Sequence, residues 1–179
     1  MAAHRATVAP QSHDVVIGDG SFNVFSYPDQ YRNALRALHQ VLVRDGLFIL
    51  RIYARPAAPE SVDAVFADLD RGRIGNFHIF KFRVAMALHS AVHAGVCVGD
   101  VWDAWQARRI DPDALAERLR WPIESVRTID AYRGEAARYS FPTLTEFHAV
   151  AEDLYVPLAV QVPRYEFGER CPIVIMQPR

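Results

Sequence analysis

Six consecutive residues, Gly18-Asp19-Gly20-Ser21-Phe22-Asn23, combine a carboxylate, a hydroxyl, an amide and two glycines directly after the apolar run Val15-Val16-Ile17. Ligands of open α/β sheets sit outside the carboxyl ends of the strands, so this turn and the stretch Arg51 to Arg55 are the positions that would face one. Asp19 offers a carboxylate that either takes a proton or bonds the amides of its own turn. Ser21 and Asn23 either bond a ligand or cap the helix that follows. Tyr53, at the end of the second apolar run, and His78, within His78-Ile79-Phe80-Lys81-Phe82-Arg83, are candidate substrate contacts. For His78 the competing reading is an amphipathic helix whose Phe77 and Phe80 form a core stripe.

Other chemical motifs fit less well. Gly18 to Asn23 resembles a degenerate G-x-G-x-x-G turn, with Arg51 near the 2′-phosphate of NADP, but Asn23 stands where the third glycine belongs. A hydrolase elbow needs glycines two residues either side of Ser21, and Asp19 and Asn23 occupy those places. His89 and His93 have the spacing of a metal pair on a helix, yet no glutamate lies between them in the expected place and no third ligand is evident. No metal is therefore expected. Trp102 and Trp105 read as packing residues.

The elements that position these residues follow from run length and periodicity. Asp14 to Gly18 and Leu47 to Leu50 are short continuous apolar runs, the pattern of parallel strands covered on both faces. Between them Tyr31, Ala34, Leu35, Leu38, Val41 and Leu42 share one side of a helix. Ser26 and Asp29 suit its start, Pro28 its first turn, and Arg44 with Gly46 its end. From about Glu60 to Arg138 the pattern turns helical, with helices expected over Val62 to Leu69 and Phe77 to Val92 and further ones after Asp100, Asp111 and Pro122. Thr143-Leu144-Thr145-Glu146 is a capping box, and Leu158 to Val162 with Ile173 to Met176 read as a closing antiparallel pair. The expected organisation is an irregular segment over 1–13, a strand-helix-strand core over 14–56, a helical insertion or lid over 57–138, and a helix with two strands of the same core over 139–179.

Composition limits the function classes. With 179 residues and 51% hydrophobic content the chain can bury a substantial core. Its 20 basic and 21 acidic side chains give a formal charge of −1, so no bulk attraction to nucleic acid or anionic lipid is implied. Two cysteines without ligand spacing suit a reduced, cytoplasmic setting, and neither a membrane span nor a signal peptide is evident.

Asp14-Val-Val-Ile-Gly-Asp-Gly-Ser21, the amphipathic helix, and Leu42-Val-Arg-Asp-Gly-Leu-Phe-Ile-Leu50 together resemble the fourth strand, following helix and fifth strand of class I S-adenosylmethionine-dependent methyltransferases. Phe141-Pro-Thr-Leu-Thr-Glu146 and Tyr165-Glu-Phe-Gly-Glu-Arg-Cys-Pro172 with the last apolar strand resemble the terminal helix and antiparallel hairpin of bacterial members. The resemblance implies a partial Rossmann-like α/β sheet, two parallel strands plus a C-terminal antiparallel pair with a helical insertion. It further implies S-adenosylmethionine as cofactor at Gly18, Asp19, Gly20, Ser21 and Phe22, with Asp19 as the catalytic base. Asn23, Tyr53 and His78 then lie toward a small-molecule acceptor.

The family's first strand, acidic glycine-rich loop and second strand have no counterpart in Met1 to His13, which holds no glycine. The chain is thus expected to be the carboxyl portion of the domain, and strand 14–18 to expose the edge that the first strand would cover. Three situations meet that expectation: truncation at an internal methionine, a complementing chain, or self-association along the edge. A non-catalytic methyltransferase-like partner subunit is the alternative from a different functional class.

Overall fold

The structure, a computed structural model, describes residues 8–179; the first part of the irregular segment expected over 1–13 lies outside the described residues. In chain order the first unit begins with β1 (His13–Asp19), α1 (Asp29–Val41) and β2 (Leu42–Arg51). The second contributes α2 (Val62–Asp70), α3 (Phe77–Leu88), β3 (Val96–Cys97), α4 (Val98–Ala107), α5 (Pro112–Leu119), α6 (Ile123–Arg127) and β4 (Arg138–Tyr139). The chain then returns to the first unit with α7 (Leu144–Ala151), β5 (Tyr155–Gln161) and β6 (Ile173–Pro178). Among the described residues the first unit comprises 8–54 with 142–179 and the second 55–141.

The first unit is a mixed α/β sheet of order β1-β2-β6-β5, Rossmann-like in its parallel β1–α1–β2 crossover. β6 lies between β2 and β5 and runs antiparallel to both. One face of the sheet carries Phe48, Leu50, Val174, Met176 and Tyr155, which close with Tyr31 and Leu35 of α1 and Phe147 of α7 into the unit's core. Seven ring pairs tie this core together, among them Phe22 edge-on to Tyr31 at 5.4 Å and to Phe147 at 6.2 Å. Tyr155 adds a bond from its hydroxyl to the Leu35 carbonyl, 3.1 Å, which gives that buried hydroxyl a partner.

The opposite face departs from the expectation of strands covered on both sides. Register places Val15, Ile17 and Asp19 beside Leu47, Ile49 and Arg51, and these beside Ile175 and Ile173. Val15 is 46% and Ile17 74% exposed, so no helix of the described residues shields this end of the face. A continuous apolar run signals that both faces are suited to burial, but not that this chain supplies both covers.

Two expected boundaries also move. α1 stops at Val41 and the chain enters β2 at once, because Gly46 is not a helix terminator. A Cβ at Gly46 would lie 3.0 Å from the Asp14 carbonyl, so the glycine lets β2 pass close to β1 where their register jumps from His13↔Leu42 to Val15↔Leu47. Ser26 does not cap α1, whose first position follows Pro28 without a side-chain cap. The capping box at α7 forms as expected, with Thr143 Oγ1 accepting from the Glu146 amide at 3.2 Å and Glu146 Oε2 accepting from the Thr143 amide at 2.6 Å.

The second unit is helical around Phe66, Phe77, Phe80, Val84 and Trp105, with the two-residue ladder β3–β4 as its only sheet among the described residues. α3 ends at Leu88 rather than Val92. His89 is buried there and its Nε2 accepts from the Phe141 amide at 3.4 Å, a packing role unlike that of a metal ligand. Arg83 of α3 reaches Glu60 (2.6 Å) and Asp68 (2.8 Å), side chains 14%, 17% and 26% exposed, and the more exposed Arg73 joins the cluster 3.5 Å from Asp68.

Candidate functional site

The carboxyl ends of β1 and β2 bring the expected turn and the Arg51–Tyr53 stretch together, and three interactions lock them. Gly20 donates its amide to the Arg51 carbonyl at 2.8 Å. Asn23 donates through Nδ2 to the Tyr53 carbonyl at 2.7 Å and accepts the Tyr53 amide at Oδ1 at 3.0 Å, so one buried side chain extends the ladder past the end of β2. Arg51 grips Asp19 with both arms, Nε to Oδ1 at 2.6 Å and Nη2 to Oδ2 at 2.7 Å. Asp19 and Arg51 are register partners on the open face, which is why the fork forms without strain on either strand.

The glycines have steric reasons. Gly20 sits at φ +63°, and a Cβ there would lie 2.6 Å from the Tyr53 ring. At Gly18 a Cβ would lie 2.8 Å from Leu50 Cδ1 and 3.1 Å from Ser21 Oγ. Both positions thus let the turn lie flat on β2. Phe22 points away from solvent, 3% exposed within the aromatic core, so its side chain anchors the turn. Ser21 is exposed at the head of a 3-10 turn spanning Ser21–Val24.

Of the residues singled out from sequence, Gly18 and Asp19 line a shallow pocket of about 260 Å³, together with Ile17, Ile49, Arg51 and Ile173. Asn23 is committed to the Tyr53 backbone. Tyr53 lies half-buried against Gly20, with its phenol pKa raised chiefly by burial. His78 belongs to α3 in the second unit, solvent-exposed, its pKa lowered by partial desolvation and then by the Lys81 charge. Arg51, which the nicotinamide reading would set beside a 2′-phosphate, is instead held by Asp19.

Sequence reasoning missed Tyr165 and Cys171. The Tyr165 hydroxyl accepts from Arg51 Nη1 at 3.3 Å, and these bonds from Asp19 and Tyr165 push the guanidinium pKa further up. Cys171 is buried, and that burial pushes its thiol up to about 11, so it is protonated at neutral pH and is no nucleophile. Both come from the β5–β6 connection, which no local motif links to β1 and β2.

The pocket can accept a small amphipathic or cationic group: its wall is isoleucine and its rim an exposed carboxylate held in place by arginine. Asp19 keeps lone pairs beyond the two used by Arg51. A larger concavity, about 730 Å³, lies at the amino ends of β1 and β2 among Gln11, His39, Arg44 and Arg179, the end of an open sheet where ligands are not received. Among the described residues no group of three or more His, Cys, Asp or Glu is arranged for a metal, and no helix is long and apolar enough to cross a membrane.

No family model matches the chain. Over 76 residues it is 26% identical to pyridoxine 5′-phosphate synthase of Nautilia profundicola, a stretch that covers 42% of this chain and 29% of that enzyme. The crystal structure of the PH0226 protein from Pyrococcus horikoshii OT3 aligns with all of this chain and 57% of its own, with a TM-score of 0.46 and 14% identity. The chain therefore spans less than two thirds of the length of either protein.

Proposed function

We propose that the chain is a methyltransferase-type unit, the portion of an S-adenosylmethionine-dependent enzyme that receives the donor's sulfonium end and a small-molecule acceptor at the carboxyl ends of β1 and β2. The observation that supports this most is the strand arrangement: a parallel β1–α1–β2 crossover with a closing antiparallel hairpin on the β2 side, the pattern implied by the sequence resemblance. The residues fit the donor in kind. An exposed, arginine-anchored carboxylate suits a positive sulfonium, and the isoleucine wall suits its apolar substituents. The fit in size is partial, since about 260 Å³ falls below the roughly 300–1,000 Å³ of sites that enclose such ligands, so these residues form one wall.

Bound S-adenosylmethionine would supply an electrophilic methyl group on an already activated sulfur. What remains for the protein is alignment and removal of the acceptor's proton. Arg51 fixes Asp19, and Asp19 presents its remaining lone pairs to the acceptor as the proton-accepting group. Asn23 holds the turn to Tyr53 so that both stay in register. The alternative, a methyltransferase-like partner without catalysis, draws on the same fork, because Arg51 already occupies both Asp19 oxygens.

Amide chemical shifts in a titration with S-adenosylmethionine test the proposal. Shifts centred on Gly18, Gly20, Ser21 and Arg51, weaker with S-adenosylhomocysteine, whose sulfur carries no charge, and lost in Asp19→Asn, are expected. An unperturbed turn at millimolar donor sinks the reading; donor binding with no methyl transfer to any acceptor favours the non-catalytic alternative.

A further inference from the structure

β1 is paired on one side only among the described residues. Among the described residues β2 meets one edge, and the backbone donors and acceptors of the other edge face no strand. Such a row is satisfied in series only by another extended backbone. The middle of this edge is unprotected: Val15 and Ile17 are exposed, no proline interrupts His13–Asp19, and its two charged residues, Asp14 and Asp19, stand toward its ends.

The strand His13-Asp14-Val15-Val16-Ile17-Gly18-Asp19 is complementary to its own reverse. We propose that the occupant of this edge is a second copy of the chain, with the two β1 strands antiparallel about a two-fold axis at Val16. In that register all seven residues pair. His13 stands opposite the partner's Asp19, so no like charges face one another, and Asp19 stays in the Arg51 fork with its remaining lone pairs toward the pocket. Val15 stands opposite the partner's Ile17, twice by symmetry, so the two most exposed apolar side chains of the strand cover one another on the open face. Asp14 meets only the partner's Gly18, where no side chain is in the way. The neighbouring registers do worse. An axis at Val15 sets His13 against Ile17, and one at Ile17 sets Val15 against the Asp19 carboxylate. A two-fold axis makes the contact closed, so the edges end in a dimer and not in a filament.

Sedimentation equilibrium with two single variants and their combination tests both the occupant and the register. The wild-type chain is expected at twice the mass of one chain. Val15→Lys and Ile17→Glu each weaken association about tenfold or more, because each change acts twice. The double variant returns to within about threefold of wild type, since the introduced lysine then faces the introduced glutamate of the partner. Circular dichroism confirms that all three fold. A wild-type chain that stays at single mass up to about 0.1 mM, as an edge reserved for a different chain would, overturns the proposal. So does a double variant no tighter than the singles, or a dimer indifferent to both.

Discussion

Asn23 is the residue on which the candidate site depends mechanically, and replacing it tests that account. Its side chain is 4% exposed and bonds both backbone polar groups of Tyr53, at 2.7 and 3.0 Å. Asn23→Ala removes the donor and the acceptor together, so the Tyr53 amide and carbonyl each lose the bond that Asn23 supplies. Each backbone group left partly buried without a partner costs about 1–2 kcal/mol, so the variant is expected to lose about 2–4 kcal/mol of the first unit's stability. Asn23→Asp separates the two bonds: the carboxylate still accepts from the Tyr53 amide but sets an oxygen against the Tyr53 carbonyl. That buried acid has its folded-state pKa raised above the ordinary carboxylate value, because the protonated form alone can donate to the carbonyl. Its stability relative to wild type is thus complete below the unfolded carboxylate pKa and is lost as pH rises through the folded value. Amide hydrogen exchange along Phe48 to Tyr53 is the assay. Exchange about 30- to 1,000-fold faster in Asn23→Ala follows from the free-energy loss. A change below about fivefold, or an Asn23→Asp variant that does not regain protection on acidification, refutes the reasoning.

Two further predictions concern the second unit, which contains all three tryptophans, Trp102, Trp105 and Trp121, so urea unfolding followed by their fluorescence reads it directly. Arg83→Met removes the cation that bridges Glu60 and Asp68 while Arg73 stays 3.5 Å from Asp68, so the cost is expected below that of a fully uncompensated pair, about 2–3 kcal/mol. Arg83, chiefly through its hydrogen bond, and Arg73 to a smaller degree lower the Asp68 pKa, so this contribution is present above the ordinary carboxylate value and is lost as pH falls through the lower folded one; the variant should show a shallower acid-side slope, and an unchanged one would count against the cluster. Lys81 is buried, donates to Thr128 Oγ1 at 2.8 Å and lies 4.7 Å from the Tyr132 ring centre, with its pKa lowered by burial. The unfolded chain therefore binds more protons than the folded one between the lowered value and the ordinary 10.5, and stability rises with pH there by at most about 1.4 kcal/mol per pH unit. Lys81→Met should flatten that rise, and an unchanged slope would show that the lysine is solvated in the folded state.

Much of the first unit was legible because its signals are local. The apolar runs at Val15-Val16-Ile17 and Leu47-Phe48-Ile49-Leu50, the helix between them and the capping box at Thr143 each specify their own element, and all four form. What could not be read depends on contacts between distant segments. Gly46 looks like a helix terminator until β1 is seen to pass over it, and Gly95 lies against the Tyr139 carbonyl beside β3–β4. The end of α3 likewise involves a distant segment, since His89, just past its last residue, accepts from the Phe141 amide.

The site shows the same division. Asp19 and Arg51 were both singled out, but as a base and as a phosphate contact, because neither sequence position announces its register partner. The parallel pairing Asp19↔Arg51 turns two functional candidates into one structural pair. That pairing constrains any chemistry assigned here. A proton acceptor gripped by a guanidinium is oriented before the substrate arrives, and it acts only through lone pairs that point out of the fork. If Asp19 works as a base, its acceptor must approach from the pocket side, over Ile17 and Ile49; if it only anchors the turn, Asp19→Asn should loosen the strand ends as Asn23→Ala does. Exchange protection of the Gly20 and Arg51 amides in Asp19→Asn separates the two roles, since a base can be lost with the strand ends still closed and an anchor cannot.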